Sequence, residues 1–246
     1  MRFLMRGPFS KRLTFMHTGH IGDIVAFMPV FQAMGGTTMV IRDETWMEPM
    51  SGYKYDSIKP LLESQNIEVL WNDGKYAIDH DLSGWRECYE HHVSLMDAQA
   101  RYLNLVPRGH GHMQITEPWI KVDPDSNTKG RVIFNRSPRY RSPYFSWDNV
   151  HKHFGDKALF IGREDEHKEF CDLIGNIEYY KTDSCLDVAR AIEGSDFFVG
   201  NQSSSFWIAA GLRKPLLQET CAVPNSIVKY EGAHYAINCD ADLSVL

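Results

Sequence analysis

Short apolar runs alternate along the chain with segments in which apolar residues recur at helical spacing. The first run, at 13–16, reads as a strand, and the apolar residues from 24 to 34 follow at the spacing of an amphipathic helix. The same criteria predict further elements in the N-terminal half: strands at 37–41 and 68–71, and helices at 57–65 and 85–105, the second of which allows a break near residues 91–92.

The alternation resumes after residue 130. It predicts strands at 131–135, 157–161, 177–180, 196–199 and from 215–217, and helices at 147–154, 164–174, 186–192 and 203–212. Between the two halves, the segment 118–130 (PWIKVDPDSNTKG) concentrates residues typical of a linker. We therefore predict an α/β protein with two Rossmann-like domains, each on a parallel sheet, over residues 1–126 and 127–246.

Composition and charge narrow the class of protein. The chain has 246 residues, of which 43% are hydrophobic and 24% charged, as in ordinary globular proteins. Its net charge of −6 argues against a protein that coats nucleic acid. It shows no apolar run of transmembrane length and no secretory signal in residues 1–11. The scattered cysteines lack a C-x-x-C pair and predict reduced thiols in the cytoplasm.

The turn between the first predicted strand and the first predicted helix reads Gly19-His20-Ile21-Gly22-Asp23. Glycines let the backbone turn sharply and let a ligand approach it closely. The turn follows the carboxyl end of a strand, where open α/β sheets bind ligands, so Gly19, His20 and Gly22 are predicted to contact substrate. Asp23 is either a helix-capping residue or an acid that acts in the site.

A second polar turn follows the predicted strand at 196–199. Residues 201–205 (NQSSS) lead into a helix of small residues, and free backbone N–H groups at such a helix start bind anions. Serine hydroxyls add further donors, so this turn is predicted to bind phosphate. The alternative is that Ser203 or Ser204 only caps the helix.

A basic loop follows the predicted strand at 131–135. Arg136, Arg139 and Arg141 are interleaved there with aromatic residues, and arginine forks match the geometry of phosphate oxygens. A solvated surface loop and a nucleic-acid strand binder are the alternatives. The histidine pairs lack the spacing of a helical zinc site, so no metal is predicted.

The first two turns resemble the ADP-heptose lipopolysaccharide heptosyltransferases and their relatives, the family 9 glycosyltransferases. The family motif G-x-x-G-D-[IV]-x-x-x-x-P matches at 19–29. A second motif, written roughly G-x-D-[ST]-G-x-x-H-x-A-A-x-x-x-x-P, matches at 200–215 with three departures: Gln202 for the acid, Ser204 for the glycine and Trp207 for the histidine. The resemblance implies the GT-B fold, in which two Rossmann-like domains with parallel sheets face each other across a cleft.

The resemblance also implies roles for individual residues. Asp23 corresponds to the family's candidate base. Arg139 or Arg141 corresponds to the basic residue that neutralises the leaving diphosphate, and Glu164, after Gly162, to the acid that contacts the donor ribose. The turn that holds the donor diphosphate corresponds to four residues: Gln202, Ser203, Ser204 and Ser205.

These residues predict a glycosyltransferase that moves a sugar from a nucleotide-diphosphate sugar to an acceptor hydroxyl. Inversion and a bacterial envelope glycan as acceptor follow from the resemblance. Since the helix start at Ser203–Ser205 and Arg139 or Arg141 would stabilise the leaving diphosphate, the reaction is expected to need no metal and no cofactor beyond the nucleotide-sugar co-substrate. Three alternatives remain: a viral enzyme that modifies hydroxymethylated bases in DNA, a nucleotide-sugar epimerase or hydrolase, and an inactive nucleotide-sugar-binding module. The oligomeric state is left open.

Overall fold

The computed structural model describes residues 12–42, 52–71, 74–90, 93–107, 112–113, 115–223 and 226–238. The chain divides into two compact units. Unit 1 comprises Met1–Glu90 and Leu95–Ile115, and unit 2 comprises His91–Ser94 and Thr116–Leu246.

The described part of unit 1 is built on a parallel four-stranded sheet, in which the first strand pairs with strands on both sides. The spatial order of the strands is β3-β2-β1-β4. In chain order its elements are β1 Leu13–His17, α1 Ile21–Met34, β2 Gly36–Ile41, α2 Gly52–Ser64, β3 Glu68–Trp71, β4 His80–Asp81, a 3-10 turn Trp85–Cys88 and α3 Leu95–Tyr102.

The described part of unit 2 is built on a parallel six-stranded sheet with the order β10-β9-β8-β5-β6-β7. This is the strand order of the Rossmann fold, 3-2-1-4-5-6, and its switch point lies between β5 and β8. Its strands and α-helices are β5 Val132–Asn135, α4 Trp147–Phe154, β6 Ala158–Phe160, α5 Glu164–Ile174, β7 Glu178–Tyr179, α6 Cys185–Gly194, β8 Phe197–Asn201, α7 Ser204–Gly211, β9 Leu216–Glu219 and β10 Ala233–Ala236. Two 3-10 turns, Ser126–Thr128 and Gly155–Lys157, complete it.

The two parallel sheets confirm the predicted α/β class. The helix predicted at 85–105 is not continuous, because Tyr89 takes an extended conformation (φ −79°, ψ 128°) directly after the 3-10 turn; the break expected at 91–92 lies outside the described residues. Only the second part, α3, is an α-helix. Two strands had no prediction: β4 has two polar residues, and β10 lacks a run of large apolar side chains.

The segment before β5 is hydrogen-bonded to unit 2. The backbone N–H groups of Trp119 and Ile120 both donate to the carbonyl oxygen of Gly211, at 3.0 and 3.1 Å. The N–H of Asp125 donates to the carbonyl of Arg190 at 3.0 Å. These contacts place the division at Thr116, earlier than the predicted boundary between residues 126 and 127.

Aromatic side chains fill the core of unit 2 beneath α4 and α5. The ring of Trp147 lies 5.0 Å from that of Phe170 and 6.1 Å from that of Phe134, and Phe160 lies 5.1 Å from Phe170. Large buried rings contribute much of the apolar area that stabilises a domain, so this cluster fixes both helices against the sheet. None of the helices in the described ranges has the length and apolar character needed to cross a membrane.

A buried polar network lies at the end of β1 in unit 1. The N–H of Gly19 donates to Nδ1 of His17 at 2.9 Å, so the imidazole proton is on Nε2, which donates to Oε1 of Gln99 at 2.9 Å. Nε2 of Gln99 donates in turn to the carbonyl of Asp23 at 3.0 Å. Burial lowers the pKa of His17 to about 4, so the ring is neutral.

We expect this network to make stability depend on pH. In the unfolded chain His17 has its ordinary pKa of 6.5, so between pH 6.5 and about 4 the unfolded state binds more protons than the folded state. The free energy of unfolding therefore falls as the pH falls through this range, by up to about 3 kcal/mol. Chemical denaturation at several pH values measures it. His17→Gln should flatten the dependence, whereas His153→Gln, at an exposed site, should not; an equal slope in both variants contradicts the assignment.

Candidate functional site

The glycine turn after β1 brings the carboxylate of Asp23 back over the end of the strand. Gly19 has no space for a side chain, since a Cβ there would lie 2.5 Å from Cε1 of His17 and 2.6 Å from Cβ of Asp23. His20 is the N-cap residue of α1 and is half-buried, and Gly22 lies in the first turn. These four predicted residues therefore form one continuous turn.

The side chain of Asp23 is 12% exposed, and its carboxylate has two partners at the same oxygen. Oδ2 accepts the N–H of His20 at 2.9 Å, which makes Asp23 a helix-capping residue, one of the two roles that the sequence left open. Oδ2 also accepts Nη2 of Arg86 at 2.9 Å. Oδ1 accepts no bond from the residues that the structure describes, so the carboxylate retains an oxygen for a further proton or ligand.

Arg86 is a site residue that the sequence analysis missed. It comes from the segment after β4, which is the neighbour of β1 on the other side of the switch point of the first sheet. Its guanidinium lies 4.6 Å from the ring centre of Trp85, which is buried and holds it by a cation–π contact. No local sequence pattern indicates Arg86, because its position beside Asp23 depends on the order of the strands in the sheet.

The switch point of unit 2 is lined by two buried asparagines that end adjacent strands. Asn135 ends β5 and Asn201 ends β8. Nδ2 of Asn135 donates to the carbonyl of Ile161 at 3.0 Å, and its Oδ1 accepts the hydroxyl of Ser203 at 2.9 Å. Asn135 thus joins the turns that follow β5, β6 and β8. The sequence feature that indicates such a residue is a polar side chain at the end of an otherwise apolar strand.

Arg136, at the start of the basic loop, binds a carboxylate within the protein. Its Nε and Nη2 donate to the two oxygens of Glu219, each at 3.1 Å. Glu219 is fully buried and also accepts the N–H of Ser142 at 2.8 Å and the indole N–H of Trp147 at 3.1 Å. Charge pairing with multiple hydrogen bonds is what a buried carboxylate requires, so Arg136 anchors the loop to β9.

Arg141, at the other end of the loop, is also paired. Its guanidinium donates to both oxygens of Glu169 on α5, one of them at 2.8 Å, and its Nε donates to the carbonyl of Ser137 at 2.9 Å. The hydrogen bonds between them raise the pKa of Arg141 and lower that of Glu169, so both groups remain charged. Arg141 therefore holds the loop closed on itself and on α5.

Arg139 differs from its two neighbours. Its side chain is exposed, its guanidinium lies 5.6 Å from the ring centre of Tyr140, and no carboxylate pairs with it within the described ranges. Of the three arginines of this loop, Arg139 is thus the one whose guanidinium is available to an external anion.

The start of α7 faces this loop through Asn135 and Asn201. Ser203 is the N-cap, and its Oγ accepts the N–H of Phe206 at 3.4 Å. The N–H groups of Ser204 and Ser205 donate to no group in the described part of the chain, as expected of a first helical turn. The N–H groups at which a phosphate is predicted to bind are therefore unused at half-buried Ser204 and at buried Ser205, within the described residues.

Gln202 and Trp207, the departures from the family motif, have buried side chains. Nε2 of Gln202 donates to the carbonyl of Val223 at 3.0 Å, which directs the amide toward the loop after β9. Trp207 is 1% exposed. Both side chains serve packing within unit 2, so the predicted contact of Gln202 with a diphosphate is limited to its backbone.

Gly162 and Glu164 lie beyond the end of β6, next to β5. Gly162 has φ +140°, and a Cβ there would lie 2.9 Å from Oε2 of Glu166 and 3.1 Å from Nδ2 of Asn135, so the position requires glycine. Glu164 is the first residue of α5 and is exposed. The carboxyl end of the second strand is where Rossmann folds place an acid for a ribose, and the role of Glu164 toward a donor ribose stays a prediction.

The structure thus gathers the predicted residues into two groups, one in each unit. The turn 19–23 with Arg86 forms the first group. The second comprises Arg139, the start of α7 and, beyond β6, Glu164. In the part of the chain that the structure describes, no group of three or more metal-ligating side chains is arranged to hold a metal ion.

In sequence comparisons, no family model matches the chain, and no curated protein matches it. Solved structures do. A glycosyl transferase family 9 protein from Veillonella parvula DSM 2008 matches with a TM-score of 0.59 at 13% identity, over 92% of this chain and 85% of that chain. E. coli ADP-heptose lps heptosyltransferase II matches with a TM-score of 0.54 at 12% identity, over 92% and 90%.

The E. coli heptosyltransferase WaaC, solved with ADP-2-deoxy-2-fluoro heptose, matches with a TM-score of 0.52 at 13% identity, over 92% of this chain and 93% of that chain. At this level of identity the likeness concerns the architecture. The resemblance that the two motifs predict is therefore confirmed for the fold: this chain has the α/β fold of the family 9 glycosyltransferases.

Proposed function

We propose that this protein is a glycosyltransferase that moves a sugar from a nucleoside-diphosphate sugar to an acceptor hydroxyl. The observation that carries the proposal is the arrangement at the switch point of unit 2. There, Arg139, which has no carboxylate partner among the described residues, and the first turn of α7 with its unused N–H groups follow two adjacent strands, β5 and β8. A guanidinium and free N–H groups together suit the oxygens of a diphosphate.

The donor is assigned to unit 2 by these groups. Arg139 and the N–H groups of Ser204 and Ser205 bind the diphosphate, and Glu164 binds the ribose hydroxyls. The similar structures support an adenosine diphosphate sugar as donor, since the E. coli heptosyltransferase WaaC was solved with ADP-2-deoxy-2-fluoro heptose. The sugar itself is not assigned.

The reaction assigned to these residues is a displacement at the anomeric carbon. The acceptor oxygen forms a bond to that carbon while Asp23 takes its proton, and the bond from carbon to the diphosphate oxygen breaks. The leaving diphosphate carries the bonding electrons and is stabilised by Arg139 and the start of α7. Attack from the face opposite the leaving group inverts the configuration, and the proposed mechanism uses no metal.

A glycan hydroxyl is the proposed acceptor. The alternative of DNA rested on a basic loop with three arginines, but Glu219 and Glu169 pair with two of them, which leaves one free guanidinium for a phosphate. A cytoplasmic location is part of the proposal, because Cys88, Cys171, Cys185 and Cys221 are free thiols.

The proposal is tested by donor binding and turnover of the full chain. Thermal shift with ADP, UDP, GDP, CDP and their sugars identifies the base, because a ligand that binds the folded state raises Tm. Release of nucleoside diphosphate is then measured with and without candidate glycan acceptors. Acceptor-dependent release is expected; acceptor-independent release identifies a hydrolase or epimerase, and the absence of any binding contradicts the proposal.

The three arginines of the loop should contribute unequally to donor binding. Arg139→Gln removes the available guanidinium, so nucleoside-diphosphate affinity should fall about ten- to a hundredfold, the scale of a charge-assisted hydrogen bond. Arg141→Gln should weaken binding much less, because Glu169 already occupies that side chain. Isothermal titration measures both. Arg131→Gln, at the opposite end of β5, is the matched control, and a larger loss in Arg141→Gln than in Arg139→Gln contradicts the assignment.

Asp23 should be required for chemistry as well as for the turn. Asp23→Asn keeps an oxygen that accepts the N–H of His20 but loses the ability to take a proton, so the single-turnover rate should fall about a hundredfold or more, with donor affinity unchanged. Arg86→Gln is the matched control, because it breaks the same ion pair and leaves the carboxylate in place.

Both variants should lower Tm, since each leaves one partner of a largely buried pair. The rates separate the two roles of Asp23. If Asp23→Asn and Arg86→Gln lose stability to a similar extent and both turn over at the rate of the unmodified protein, Asp23 is a structural residue, and the proposed mechanism has lost its base.

A further inference from the structure

We infer that Asn201 is a positioning residue that presents Arg139 to the donor diphosphate. The inference rests on the proposed function and adds a residue for which neither the motif nor the resemblance gives a role. Asn201 ends β8 and is fully buried, so it does not bind the donor through an exposed side chain. It acts through the loop that carries Arg139.

The side-chain amide of Asn201 uses both of its ends on this loop. Oδ1 accepts the N–H of Ser137 at 2.9 Å and its hydroxyl at 3.2 Å. Nδ2 donates to the carbonyl of Ser137 at 3.0 Å and to the carbonyl of Arg139 at 2.6 Å. The last bond fixes the backbone of Arg139 itself. Four hydrogen bonds join this one amide to two loop residues, so every donor and acceptor of the Asn201 side chain is used on the loop.

The flanks of the loop are fixed independently. Arg136 binds Glu219 on β9, and Arg141 binds Glu169 on α5. Between these anchors, Tyr140 has φ +56°, a left-handed conformation that is unfavourable for a side chain of its size. Asn201 holds the segment immediately before this residue, so its amide supports the loop at the point where the backbone is strained.

The physical effect is preorganisation. An arginine on an unrestrained loop must be ordered when it binds, and ordering the backbone and the side chain costs free energy that subtracts from affinity. With Ser137 and Arg139 fixed to the end of β8, this cost is met on folding. Loss of Asn201 should therefore weaken diphosphate binding only while Arg139 is present to bind it.

A double-mutant cycle in the full chain tests this, with ADP and inorganic pyrophosphate as probes. Asn201→Ser should weaken binding of both about tenfold, and Arg139→Gln about ten- to a hundredfold. In the Arg139→Gln background, Asn201→Ser should change affinity by less than about twofold, because the two residues act as one unit. Amide hydrogen exchange at Ser137 should be faster in Asn201→Ser, which reports release of the loop.

Two further variants separate positioning from general destabilisation. Gln218→Ser removes another fully buried amide, which donates to the carbonyl of Ser226. This variant should lower Tm without lowering the affinity for ADP. If Asn201→Ser does not fold, Ser137→Ala is the milder variant, because it leaves Asn201 in place and removes only one of the bonds to its Oδ1. Ser137→Ala should lower the affinity for ADP about two- to fivefold.

The outcomes are distinct. If the unmodified protein binds neither pyrophosphate nor any of the four nucleoside diphosphates, the proposed function and this inference both fail. If it binds them and Arg139→Gln weakens binding, but Asn201→Ser and Ser137→Ala do not, the proposed function stands and this inference is overturned. Additive losses in the double variant overturn it as well, since Asn201 would then act independently of Arg139.

Discussion

Polar side chains buried at the carboxyl ends of parallel strands are the constraint on which the loops of both units depend. A buried carboxylate, amide or imidazole costs free energy unless its hydrogen bonds are made. In unit 2, Glu219 and Asn201 end adjacent strands, and their partners come from the loop after β5. Satisfying these two groups therefore fixes the loop, whatever its own conformational preference.

The same constraint acts in unit 1 through a longer chain of bonds. Gln99 on α3 connects the imidazole of His17 to the carbonyl of Asp23. The turn that carries the carboxylate is therefore fixed through the backbone of Asp23. Arg86 fixes it from the side of β4. In each unit, the residues of the candidate group follow the first strand of the sheet and its neighbour across the switch point. This is why residues distant in sequence meet within each group.

The sequence predicts the parts of this arrangement that depend on local pattern. Apolar runs and helical spacing predict most of the strands and helices, and acids at the start of α5 predict its first residue correctly, since Glu164–Ile174 was expected there. The short strand β4 lies beyond such reasoning: two polar residues become a strand because β1 offers them a partner. The pairing of Arg136 with Glu219 cannot be predicted from local pattern either, because the strand order of the sheet brings the two residues together.

The departures from the family motif take on a physical meaning in this light. Gln202 and Trp207 stand where the motif has an acid and a histidine, and both are directed into the interior of unit 2. In this chain the titratable side chains of the motif are thus replaced by an amide that bonds to a backbone carbonyl, Gln202, and by a ring that fills space, Trp207. The charge available at the switch point is then the guanidinium of Arg139, assisted by uncharged N–H donors at the start of α7. Among the described residues of the basic loop only Arg139 lacks a carboxylate partner, so the proposed site depends on where that cation is placed, and this is why an amide that fixes its backbone, Asn201, matters more than in a site with several charges.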